Sequence, residues 1–234
     1  MNGYFGDSHA AASSAVVRSF VQKVFMWMAF ALLITAAVAL QVVSSPSLRQ
    51  AIFGARFVFF GLIILELGLV FFLSARIGKM SAGAATAAFV GYSALNGLTI
   101  SAVLLAYTSA SVASTFLITA GMFGAMSIYG FITKRDLSNL GSIFMMGLIG
   151  IILASVVNIF LHSETIYWIV TYAGVAIFTG LVAYDTQKIK RMSSMVEQGS
   201  DNEHKAAIMG ALALYLDFVN LFIMLLRIFG DRRN

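Results

Sequence analysis

Four ionisable residues sit in stretches that otherwise carry almost no charge. They are Glu66 in Ile64-Leu65-Glu66-Leu67, Asp185 in Ala183-Tyr184-Asp185-Thr186, Asp217 in Leu214-Tyr215-Leu216-Asp217-Phe218, and Arg227. A charge in a hydrocarbon core costs at least ~2.5–3.5 kcal/mol, so each is a functional candidate by default. Asp185 and Asp217 fall in neighbouring segments and toward the same side. Two carboxylates at contact distance in a low dielectric cannot both ionise cheaply, and they titrate as one unit. Arg76, at the end of an earlier segment on that side, is a cation able to latch onto one of them. In the opposite half, Glu66 and Arg227 can pair, which would offset the cost of their depth. Asn220 lies one helical turn beyond Asp217 on the same face, and Asn96 and Asn158 are mid-helix amides. Simpler roles stand beside these. Asp185 suits a juxtamembrane cap, Arg227 suits snorkelling to the surface, and the amides suit hydrogen bonds between helices.

The elements that hold these residues follow from composition. The chain has 234 residues, 60% of them hydrophobic and 11% charged, with a mean hydropathy of +0.91. A soluble domain is about 25% charged. So few charges cannot cover so much apolar surface, which excludes an ordinary soluble enzyme, a disordered chain and a nucleic-acid module. The apolar runs are long and unbroken rather than alternating, so they predict helices and not a membrane barrel. Without cysteine there is no disulfide, no thiolate nucleophile and no thiolate metal site. The three histidines are expected in loops or the tail, so no zinc site inside the membrane is predicted.

The charges act as rulers, because a helix needs about 20 apolar residues to span. They place spans at about 24–44, 57–75, 82–106, 112–132, 141–161, 166–186 and 207–229. The expected fold is therefore an all-α membrane protein with seven transmembrane helices. Residues 1–19 are expected to form a disordered tail, 20–230 the transmembrane domain and 231–234 a short basic tail; 192–205 reads as a polar loop. No cleavable signal peptide is expected. The pairs Gly121/Gly124 and Gly147/Gly150 read as close-packing surfaces. Trp27 and Trp168 read as interface anchors.

Ten of the fifteen Lys and Arg fall on the side that holds the N-terminus, which makes that side cytoplasmic. The basic end at Arg227–Arg233 pulls the other way. The net charge of +5 reflects these span ends and the anionic lipid they face, not nucleic acid. Membrane lipid is the expected surrounding.

The block from Ala211 through Phe222, Ala-Leu-Ala-Leu-Tyr-Leu-Asp-Phe-Val-Asn-Leu-Phe, followed by Leu225-Leu226-Arg227-Ile228-Phe229-Gly230, resembles the signature of the Bax inhibitor-1 family (transmembrane BAX inhibitor motif proteins). Tyr184-Asp185-Thr186-Gln187-Lys188-Ile189 resembles that family's span-six ending, and Thr133-Lys134-Arg135-Asp136-Leu137 its span-four exit. The likeness covers roughly residues 20–230 and is nearest the bacterial inner-membrane branch. It implies seven helices with the last enclosed by the other six. It also implies a pH-sensitive calcium leak, with the sensor aspartates matching Asp185 and Asp217, the latch arginine matching Arg76 and the span-two acid matching Glu66. Calcium prefers hard oxygen ligands, and Glu66, Asp217 and Asp185 are spaced like steps along the membrane normal, as transient ligands of a moving ion. A divalent ion gains about 4.6 kcal/mol per 100 mV, so a leak needs a gate more than an energy source. No resident cofactor and no catalytic set are expected; calcium is cargo, and protons are the signal. One branch of the family is associated with a membrane protease, which makes a helix-contact regulator an alternative. A proton-coupled cation antiporter would use the same carboxylates. An intramembrane aspartyl protease fits poorly, because Leu-Tyr-Leu-Asp stands where Gly-x-Gly-Asp is needed and the lone proline is Pro46.

Overall fold

Ser45 and Pro46 end the first long helix and start a short one. Pro46 takes the first helical position, where its missing N–H costs nothing, and the Ser45 hydroxyl accepts the Leu48 N–H at 3.4 Å. A computed structural model describes residues 3–233, with the side chains of 15–233. The described chain runs α1 (Gly3–Ser44), α2 (Pro46–Phe53), α3 (Arg56–Arg76), a 3-10 turn (Ile77–Lys79), α4 (Ala82–Ala106), α5 (Ser109–Ile132), α6 (Ser138–Leu161), α7 (Glu164–Met192) and α8 (Asp201–Phe229). The side chains of most of the tail expected over 1–19 lie outside the described residues. Among the described residues no strand occurs beyond one isolated bridge, Tyr107 to Arg232. Among the described residues seven helices, all but α2, are long and apolar enough to cross a membrane. This is the expected seven-helix membrane protein.

Burial separates the helices by role. The apolar window of α6 is 0% buried and that of α8 is 67% buried. Met146, Ile149, Leu153 and Phe160 of α6 are exposed, the pattern of a helix bathed in acyl chains. Helix α2 has no counterpart among the expected elements; of its side chains only Ile52 is buried.

Helix α8 begins earlier than the expected span, at Asp201 rather than near 207, so the loop shortens to residues 193–200. The reason is a cap. The Ser200 hydroxyl accepts the Glu203 N–H at 3.1 Å, and Glu203 Oε2 accepts the Gly199 N–H at 2.7 Å. Ser-x-x-Glu is the capping-box signature. It carries His204 into the helix instead of a loop, where Nε2 meets Thr86 Oγ1 at 2.8 Å.

The chain divides into two compact units: Met1–Leu104 with Ile189–Leu212, and Leu105–Lys188 with Ala213–Asn234. In the first, Thr35 Oγ1 donates to the Ser93 carbonyl at 2.9 Å, joining α1 to α4, and Lys23 Nζ pairs with Glu203 at 3.3 Å. In the second, glycines set the helix spacing, but mostly not the expected ones. A Cβ on Gly121, Gly124 or Gly150 would meet nothing within 4 Å among the described residues, whereas one on Gly147 would come to 2.8 Å from Ile177. The close approaches are at Gly130, which lies against the Ala183 carbonyl, and at Gly141, which lies under the Tyr184 ring. Both fix α7 beside Asp185.

Candidate functional site

Helices α7 and α8 meet along a seam in the second unit. Phe178, Leu181, Leu221 and Leu225 form its buried apolar part, flanked by Phe144 of α6 and Met122 of α5. Leu181 lies four residues before Asp185, and Leu221 four residues after Asp217, so each aspartate continues its helix's seam face by one turn. There the two carboxyl groups hydrogen-bond to each other. A bond between two carboxyls needs a proton on one of them, because an ionised carboxylate can only accept. Asp217 is buried and its Oδ2 has no hydrogen-bond partner. Asp185 is half-buried. Lys188, three residues further on α7, is near enough to act on it electrostatically. The Lys188 ammonium also lies 6.0 Å from the Tyr184 ring centre.

The loop before α6 is tied to the same end of α7. Gln187 Nε2 donates to the Arg135 carbonyl at 2.8 Å, and Gln187 Oε1 accepts the Leu137 N–H at 2.9 Å. Gly130 thus lies against the α7 backbone two residues before Asp185, Gly141 seats the neighbouring Tyr184 ring, and Gln187 ties the helix to the loop before α6. Such support fixes a functional group better than a loop does.

Helices α3 and α4 build a second polar cluster, in the first unit. Asn96 Nδ2 donates to Glu66 Oε1, and Thr99 Oγ1 donates to Glu66 Oε2 at 2.8 Å. Asn96 is therefore the inter-helix donor expected of a mid-span amide, and its acceptor is the mid-span acid. Arg227 belongs to the other unit. Its guanidinium carbon lies 5.2 Å from the Tyr167 ring centre, a cation–π contact. The expectation linked Glu66 to Arg227; the structure gives each of them partners within its own unit. Arg76 is exposed at the end of α3. Asn220 turns back on its own helix, donating to the Leu216 carbonyl at 2.8 Å. Asn158 Oδ1 accepts the Ser163 N–H at 2.8 Å and so closes the turn from α6 to α7. His162 in that turn takes the left-handed conformation, φ 51°.

The family model described as "Inhibitor of apoptosis-promoting Bax1" matches residues 17–234. The chain belongs to the Bax inhibitor-1 family. It is 53% identical over 220 residues to the inner membrane protein YbhL of Escherichia coli, covering 94% of each chain. It is 42% identical to a protein of Borreliella burgdorferi over 219 residues, again 94% of each. A membrane protein of Streptococcus pyogenes is 44% identical over 74% of each chain. In this Bax inhibitor-1 family member several polar residues carried no sequence expectation. Thr99 is one; it lies three residues after Asn96, the helical spacing that puts both on one face. Ser111, Thr115 and Thr119 repeat every four residues and form a buried stripe on α5. The Thr115, Ser127 and Thr179 hydroxyls are buried and, with Asp217 Oδ2, have no hydrogen-bond partner. That spacing is readable in the sequence, whereas the burial is not.

Proposed function

We propose that this protein is a pH-sensitive calcium leak of a bacterial inner membrane, gated by the Asp185–Asp217 pair. The reading rests above all on one observation, the carboxyl-to-carboxyl hydrogen bond across the α7–α8 seam. The shared proton ties the two helices together. Its loss leaves two like charges in a poorly solvated place, and their repulsion biases the helices apart. Immediately beyond the pair the seam is apolar, and apolar constrictions block ions by excluding water. Closure therefore needs no more than the two helices held in contact.

When the helices part, Asp217 Oδ2 offers a free hard oxygen to a calcium ion in transit, with Asp185 beside it and Glu66 as a further step. Calcium is the cargo, so weak, sequential binding suits it. Arg76 acts as the latch, a cation that favours the ionised carboxylate in the closed form. The protein is non-catalytic in this reading, and its N-terminus faces the cytoplasm, where the positive-inside rule puts the richer side. YbhL, by its name, is an inner membrane protein, which supports the location.

The test is calcium entry into proteoliposomes between pH 6 and 8, comparing wild type with Asp217→Asn. A pH-dependent flux that becomes flat in the variant supports the proposal. An unchanged pH profile, or no calcium flux at any pH, removes it.

A further inference from the structure

A cavity of about 280 Å³ opens between the ends of α6, α7 and α8 in the second unit, lined by Ser155, Asn158, Ile159, Tyr167, Val170 and Arg227. The Arg227 guanidinium lies over the Tyr167 ring, its carbon 5.2 Å from the ring centre, a cation–π contact that uses none of its N–H donors. Among the described residues no carboxylate of its unit forms an ion pair with it. Asn158 is oriented by its neighbour. Its Oδ1 is taken by the Ser163 N–H, so the amide turns its NH₂ donor side away from that turn. Arg232 lies within hydrogen-bonding reach of the Tyr167 and Tyr107 hydroxyls and adds a second cation beside the same ring. Of the nearest acids, Glu164 is exposed, and Asp231 Oδ2 accepts from Ser111 at 3.3 Å. The cavity thus combines a guanidinium, an amide donor and an apolar wall of Ile159 and Val170.

From this set the structure assigns an oxyanion-binding site, built for a singly charged phosphate group. Arginine with a neighbouring amide is the donor geometry that recognises phosphate oxygens. The surroundings favour a lipid headgroup as the source. Tyr167 and Trp168 meet edge-to-face at 5.5 Å, and Trp168 stacks on Tyr172 at 5.7 Å. Trp and Tyr gather at the headgroup level of a bilayer, so the cavity sits where lipid phosphates lie. Beside it Phe160 and Ile169 are 78% and 61% exposed, a surface on which the acyl chains of the same lipid can rest. An anionic phosphatidylglycerol molecule with its phosphate at Arg227 fills both parts.

The experiment uses the full-length protein in mild detergent. Native mass spectrometry counts retained phosphatidylglycerol against phosphatidylcholine. Thermal unfolding is followed with each lipid and with inorganic phosphate alone. The expected result is preferential retention of phosphatidylglycerol with a raised midpoint, and an apparent affinity about tenfold weaker in Arg227→Gln. Asn158→Asp is the second variant. It keeps the acceptor for Ser163 and replaces the donor with a carboxylate, so it should repel the anion while preserving the turn. Protection by inorganic phosphate equal to that by the lipid would keep the oxyanion site and make its source a soluble anion. Equal phosphatidylglycerol retention in wild type and both variants overturns the assignment. Should Arg227→Gln not fold, Asn158→Asp decides alone.

Discussion

The Asp217 carboxyl on α8 hydrogen-bonds the Asp185 carboxyl on α7, one helical turn from the apolar contact of Leu221 and Leu181. Polar and apolar contacts thus share a single seam, and whatever parts the carboxyls also loosens the leucines. Carboxyl pairs in low dielectric titrate together, so a small change in proton activity acts on both helices at once.

Asp217→Asn keeps the shape and a hydrogen bond to Asp185 but removes one of the two titrating groups. Calcium flux in proteoliposomes should then lose its dependence on pH between 6 and 8. Because the size is conserved, the thermal midpoint of the variant in detergent should stay near that of wild type.

Arg76→Gln separates two opposing electrostatic effects. Repulsion within the ionised pair opens the seam as pH rises. A latch that holds an ionised carboxylate loses its partner as pH falls, when that carboxylate takes up a proton. Without Arg76 only the first effect remains. Flux in the variant should therefore rise steadily with pH and exceed that of wild type at pH 8.

Gly130→Ala places a methyl against the Ala183 carbonyl. Overpacking of this kind costs about 1–3 kcal/mol, and here it also displaces α7 two residues from Asp185. Gly121→Ala has open space around it and should stabilise by about 0.5–1 kcal/mol through helix propensity. Thermal unfolding in one detergent should move the two variants in opposite directions.

Asn96→Leu removes the donor to Glu66 Oε1 and leaves Thr99 to serve Oε2. Hydrogen bonds between membrane helices couple by about 0.6 kcal/mol, up to about 1.7. A double-mutant cycle of Asn96→Leu with Glu66→Gln should return a favourable coupling in this range. A coupling near zero would show that the α3–α4 contact is not held by this pair.

The sequence by itself determined that this is a seven-helix membrane protein, roughly where its spans lie, although the first and last begin well before the expected 24 and 207, at Ala15 and Asp201, and which acids fall within the apolar runs. Those properties are local: a hydropathy run and its bounding charges are read along the chain, and resemblance of the block around Asp217 added the family. The chain also carried the Ser200-x-x-Glu203 cap, a local signal that lengthens α8. Tertiary structure decided the partners. Glu66 takes Asn96 and Thr99, Asn158 closes a turn, and Arg227 lies over the Tyr167 ring at the rim of a cavity. It also decided which glycines pack, choosing Gly130 and Gly141 over Gly121 and Gly124. The physical reason is rotation. Spacing along a helix tells which residues share a face, but the direction of that face is set by the close approaches of neighbouring helices, and these join positions far apart in the chain.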